Sequence, residues 1–175
     1  MKLNYNREVI LNLISKKPKL GKTAVMKMIF ILQYVFDMDL GYEFDIYTYG
    51  PYCAEVLGEL DALIYDNFIK ADVYKYRNSL GYVLEITEKG ESSKGNLSSE
   101  DMGKISNVLS YFGDKSAKEL ELDSTIIYTR WLYVKNKWGD NKDEIIGDVH
   151  EIKPHFPISV IGDAYDSLKN DGMIA

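Results

Sequence analysis

The sequence predicts a mainly α protein with a small β component. Three observations predict it. Apolar residues recur at helical spacing in stripes spread over most of the chain. Strand-like stretches are confined to residues 42–49 and 68–87. The composition, 46% hydrophobic and 27% charged, is that of an ordinary globular chain, not a disordered one.

The elements follow in order. Val9, Ile10, Leu13 and Ile14 mark a first helix over Arg7–Ser15, which Pro18 stops because it disfavours the helical state before it. A second helix starts near Gly21-Lys22-Thr23. Its apolar face, Val25, Met28, Ile29, Leu32 and Phe36, is wide enough for a buried position. Residues 42–49 alternate as a strand, with Phe44 and Ile46 on one face and Tyr47 and Tyr49 on the other. Gly50-Pro51 is a turn signal, with Pro51 opening a third helix over Tyr52–Tyr65. A hairpin follows, with strands over Phe68–Arg77 and Tyr82–Thr87 and a turn at residues 78–81. Residues 88–98 read as a solvated linker. Helices are then predicted over Glu100–Tyr111, Ser124–Asn136, Lys142–Ile152 and Ile158–Lys169, with Ser98 or Ser99 as one cap and Ser116/Glu119 as a capping box. The expected core includes Ile10, Leu13, Val25, Ile29, Leu32, Phe44, Ile46, Leu60, Leu63, Ile69, Ile127, Trp131 and Ile161.

Residues 51–69 and 154–174 echo each other at an offset of 105, pairing Asp61 with Asp166, Leu63 with Leu168 and Ile69 with Ile174. Two readings stand: a common helix exit, or two small helix-turn-helix-like units in pseudo-repeat. The chain divides accordingly into residues 1–90 and a helical part, residues 91–175.

Several functions lose support at once. Cys53 is the one cysteine, so neither an intrachain disulfide nor a cysteine zinc cluster can form. No apolar run reaches the roughly 18 residues of a membrane span, and the first residues lack a signal-peptide core, so a cytoplasmic protein without membrane contact is expected. Gly21-Lys22-Thr23 resembles the tail of a phosphate-binding loop, but Lys16 stands where the earlier glycine belongs. His150 and His155 are the only imidazoles and share no helix face. No metal site, cofactor or catalytic set is expected, and the chain is not read as an enzyme.

Charge is polarised. Residues 1–36 carry +6, from Lys2, Arg7, Lys16, Lys17, Lys19, Lys22 and Lys27 against Glu8, while residues 41–70 carry −5. The net charge of −6 opposes strong non-specific nucleic-acid binding. Of the 14 tyrosines, eight lie between Tyr42 and Tyr82, more than a small core can satisfy at the hydroxyl. Tyr47, Tyr49 and Tyr52, with Glu55 and Glu59, therefore form the candidate protein-binding set. Lys16, Lys17, Lys19, Lys22, Lys27, Lys75 and Arg77 form the alternative, nucleic-acid-binding set.

Three helices followed by a two-stranded wing is the order of a winged helix. The exit Thr87-Glu88-Lys89-Gly90 resembles the one that leaves many prokaryotic wings, and Leu63 to Ile69 resembles the step into them, with Asn67 where glycine is common. Leu20-Gly21-Lys22-Thr23, Met26 to Gln33, Tyr49-Gly50-Pro51-Tyr52, and Ile152 to Phe156 through Gly172-Met173-Ile174 together resemble the YwgA-like family of prokaryotic proteins. More distantly, the second helix and the Tyr-Gly-Pro step are similar to Panacea-type antitoxin domains. The resemblance implies a regulatory or antitoxin-like protein-interaction module. The alternative is a winged-helix DNA-binding transcriptional regulator, opposed by Glu55, Glu59 and Asp61 on the third helix. Residues 100–137 are the candidates for a homodimer contact.

Overall fold

The Asn4 side chain accepts the Arg7 amide and so opens α1 (Tyr5–Lys16). In the computed structural model, which describes residues 3–175 apart from the side chains of Tyr76 and Ser79, the chain is mainly α with a small antiparallel component. Lys2 of the basic count and the side chain of Tyr76 thus lie outside the described residues. After α1 come β1 (Leu20–Gly21), α2 (Lys22–Tyr34), β2 (Asp45–Tyr47), β3 (Gly50–Tyr52) and α3 (Ala54–Tyr65). Then follow β4 (Ile69–Tyr76), β5 (Ser79–Ile86), α4 (Glu88–Ser93), α5 (Ser99–Phe112), α6 (Ala117–Asn136), α7 (Lys142–Ile152) and α8 (Ile158–Asn170). One sheet has the order β1-β5-β4 and a second pairs β2 with β3, all antiparallel. Among the described residues, no helix is long and apolar enough to cross a membrane.

A single apolar cluster runs from Leu3 to Ile174 and crosses residue 90 without a break. Helix α2 lies at its centre, with every residue from Val25 to Leu32 buried, and it packs on α6. Of the expected core, Ile46 and Trp131 are half-buried at its edge and the other residues are buried. Each fully buried aliphatic side chain contributes roughly 1.5–3 kcal/mol relative to exposure.

Four local expectations are corrected. The strand over 42–49 shrinks to Asp45–Tyr47, because only these residues find a partner, in Gly50–Tyr52. Pro51 and Tyr52 belong to that partner strand, so α3 begins at Ala54 with Cys53 as its buried N-cap residue. The turn between β4 and β5 is Arg77–Asn78, with Arg77 at φ 52°, and residues 79–81 are already in β5. The expected linker holds helix α4. Its cap is Thr87, whose hydroxyl accepts the Gly90 amide at 3.0 Å and donates to the Asn67 carbonyl at 2.7 Å. Lys89 donates to the Asp66 carbonyl at 2.6 Å. The Thr87 to Gly90 segment therefore closes the end of α3 onto the start of β4.

The two segments that echo each other at offset 105 share a helix exit. The Phe68 amide donates to the Leu63 carbonyl and the Met173 amide to the Leu168 carbonyl, while Asn67 and Gly172 both take positive φ. Residues 100–137, the candidates for a homodimer contact, are divided between the core and the surface. Leu120 to Arg130 are buried inside the chain, and among the described residues only Tyr111 and Val134 of that stretch are large apolar side chains open to solvent.

Gly90 provides a diagnostic test. A glycine inside a helix usually costs about 1 kcal/mol against alanine. Here a Cβ would lie 2.1 Å from the Phe68 carbonyl oxygen and 2.6 Å from Ile86. Gly90→Ala is expected to reverse the usual sign and destabilise by about 3 kcal/mol. Urea unfolding followed by circular dichroism reads this as a lower midpoint.

Candidate functional site

The Tyr49-Gly50-Pro51 step is held against the middle of α6. Gly50 sits at φ 95°, and a Cβ on it would come within 3.2 Å of both Ser124 Oγ and Thr125 Oγ1. Those two hydroxyls bond inward to the Leu120 and Glu121 carbonyls, at 2.6 and 2.7 Å. The small polar face this leaves on α6 lets the β2–β3 hairpin approach its backbone closely.

Two buried lysines fasten the same hairpin. Lys27 is 3% exposed and donates to the Pro51 carbonyl at 2.6 Å. Lys153, at the C-terminal end of α7, is 2% exposed and donates to the carbonyls of Tyr47, at 2.9 Å, and Thr48. Its ammonium also lies 3.1 Å from Glu121 Oε1, and His155 Nε2 reaches the same oxygen at 3.3 Å. Neither group makes a hydrogen bond to that oxygen. Burial, reinforced by the positive charge of Lys153 and opposed by Glu121, pulls Lys27 down from its usual 10.5 to about 8.

On this base the hairpin carries Tyr47 and Tyr49 outward, 59% and 68% exposed. Tyr52 is half-buried and meets the Tyr47 ring edge-on, with centroids 5.1 Å apart. Of the acidic pair expected beside them, Glu55 is exposed. Glu59 turns inward to an ion pair with Arg7 and is half-buried. A pocket of about 390 Å³ on this side is lined by Glu43, Asp45, Glu55, Tyr47, Tyr52 and neighbouring small residues.

The basic set is dispersed. Lys27 is corrected out of it, because a buried ammonium bound to a carbonyl cannot reach a phosphate backbone. Lys17 pairs with Asp114 at 2.5 Å and Lys22 with Asp61 at 2.7 Å. Lys16, Lys19, Lys75 and Arg77 are exposed. A groove of about 710 Å³ runs beside the β4–β5 hairpin, where Lys17, Lys19, Lys22 and Lys115 meet Tyr74 and Tyr82. Val73, Leu80 and Tyr82 project beyond the core on the hairpin face that Ile69 and Leu84 bury lower down.

The remaining candidates have structural partners. His150 Nδ1 is 2.8 Å from the Phe156 carbonyl, and Cys53 is buried. Sequence reasoning missed the Lys27–Glu121–Lys153 cluster. One signal was present: Lys27 interrupts an otherwise apolar run from Val25 to Leu32. A scan against models of known protein families found no match for this chain, and neither did a search of the curated proteins.

Two measurements test the cluster. Lys153→Met leaves Glu121 buried without its main counter-charge and two carbonyls without donors, so a loss of about 3–5 kcal/mol is expected. Adding Glu121→Gln should restore part of it, read by the same urea unfolding in a double-mutant cycle. The second concerns pH. A lysine whose folded pKa lies below its unfolded one burdens the fold while protonated and is relieved as pH rises through the folded value. Between pH 8 and 10 the wild type should therefore gain about 2 kcal/mol relative to Lys27→Met. A flat difference across that window would refute the depressed pKa.

Proposed function

We propose that this chain is a non-enzymatic protein-interaction module, regulatory or antitoxin-like, on a winged-helix scaffold. The scaffold reading is supported by the order α1, β1, α2, α3, β4, β5, interrupted by the β2–β3 hairpin between α2 and α3, and by the sheet order β1-β5-β4, which is similar to a winged helix with β4–β5 in the place of its wing. One observation carries the functional reading: two exposed tyrosines stand on a short hairpin that buried lysines fasten from below. Rigid aromatic side chains with polar tips lose little entropy on docking and dominate many interfaces. Glu43, Asp45 and Glu55 surround them, so the surface complements a partner protein that presents basic side chains. The outer face of α3 exposes Glu55 and Asp61, and this opposes insertion of that helix into a DNA groove.

A DNA-binding regulator is the second reading, favoured by the wing groove with its lysines and tyrosines and by exposed Lys75 and Arg77 near the wing tip. In that groove Lys17, Lys22 and Lys115 each already face an aspartate, which weakens their hold on phosphate.

The test is a comparison of variants. A partner captured from the native cell by the wild type should be lost with Tyr49→Ala or Glu55→Lys and retained with Lys75→Ala/Arg77→Ala. With the purified pair, Tyr49→Ala should weaken affinity by about thirtyfold, as an interface anchor does. Fluorescence anisotropy with a random-sequence duplex should show no saturable binding at low salt. Steeply salt-dependent DNA binding that is lost with Lys75→Ala/Arg77→Ala would overturn the interaction reading in favour of the second.

A further inference from the structure

A second cleft, of about 340 Å³, lies between α2 and the inner side of the β2–β3 hairpin. The sign of its charge sets it apart from a chain of net charge −6. Lys22 and Lys27 line it, and none of its described lining residues is a carboxylate. Lys22 is half-satisfied by Asp61 at 2.7 Å. Lys27 is the stronger feature: its side chain is buried, its ammonium has three N–H donors, and its protein acceptor is the Pro51 carbonyl. The charges around it are Lys153 and Glu121, and that carboxylate already faces both Lys153 and His155. Two buried ammonium groups against one buried carboxylate leave an excess positive charge beside the cleft, whereas buried charges are ordinarily paired. No side chain caps the first turn of α2, where Thr23 lines the same cleft, and no acidic residue stands in that turn.

We infer that this cleft binds a small organic anion, a carboxylate or phosphate on an apolar or aromatic body. The anionic group sits against Lys27 and the start of α2, and the body lies against Met26, Leu57 and the rings of Tyr47 and Tyr52. The volume is near the lower bound of small-molecule pockets, about 300 Å³, so the body is about one ring in size and a dinucleotide is too large. The cleft shares Tyr47 and Tyr52 with the acidic pocket of the proposed protein-docking face, but the inference stands apart from that reading, because it is tested with small molecules and without a partner protein.

The experiment uses the full chain labelled with ¹⁵N and the probes benzoate, phenyl phosphate, benzylamine and inorganic phosphate. Saturable amide shifts at Thr23–Lys27 and Thr48–Tyr52 are expected with at least one aromatic anion and not with benzylamine. Thr23→Glu puts a negative charge at the exposed start of α2, where it favours the helix, so the fold is kept and affinity falls by about tenfold or more. Lys27→Met should remove binding altogether. Absence of saturation with both aromatic anions up to about 10 mM would overturn the inference. So would equal binding of benzylamine, inorganic phosphate binding as tightly as phenyl phosphate, or shifts that survive undiminished in Thr23→Glu.

Discussion

The buried ion cluster of Lys27, Glu121 and Lys153 is the constraint on which the surface features depend. A two-strand hairpin of three residues a side is marginal alone in water. Here three of its backbone carbonyls, those of Tyr47, Thr48 and Pro51, receive donors from lysines on two distant helices, α2 and α7. Burying an ammonium is costly, and the hydrogen bonds to these carbonyls together with the Glu121 carboxylate offset that cost. The lysines thus act on the hairpin as backbone pairing does on a longer strand, but from beneath and without an edge partner. Glu121 makes this tolerable by placing one negative charge at the centre, with His155 facing it from a more exposed position.

The composition of α6 follows from the same constraint. From Leu120 to Arg130 every residue is buried, yet Glu121, Ser124, Thr125 and Thr129 make a polar row along it. A larger side chain at 124 or 125 would push Gly50 away, and an unbonded hydroxyl there would be penalised. Each hydroxyl therefore returns to a carbonyl of its own helix. Gly50 is the complementary choice on the hairpin side, required both by its positive φ and by the 3.2 Å approach. The Tyr-Gly-Pro step, Ser124-Thr125 and Lys153 are far apart in sequence but form one packing unit.

How much of this was legible in the sequence depended on whether the signal was local. Helix existence was read well, because periodic stripes such as Val9, Ile10, Leu13 and Ile14 encode it within a few residues. The caps at Ser98 and Ser116 were equally local. The short strands were misjudged because a strand ends where its partner ends, and alternation over residues 42–49 says nothing about a three-residue partner. Helix α4 was missed for a related reason: a Gly- and Ser-rich segment looks solvated until Gly90 is seen against the Phe68 backbone. The ion cluster was least legible, since pairing Lys27 with Glu121 and Lys153 needs contacts across about a hundred residues. A lysine in a run of buried residues was its one trace.

The same distinction explains why charge polarity along the chain misled about the basic set. Counting Lys16 to Lys27 as one patch treats a turn and a helix as a surface, but α2 enters the core within one turn of its start. Lys22 and Lys27, five residues apart, therefore differ in kind: one holds an exposed aspartate, the other a buried carbonyl. What remains exposed, Lys16, Lys19, Lys75 and Arg77, lies at the end of α1, just before β1, and in the β4–β5 hairpin, on elements other than α3. The N-terminal half of the fold thus presents an acidic pocket that Tyr47 and Tyr52 border and, apart from it, a lysine-lined groove beside the β4–β5 hairpin, because the carboxylates of residues 43–55 and the lysines of residues 17–22 sit on different elements.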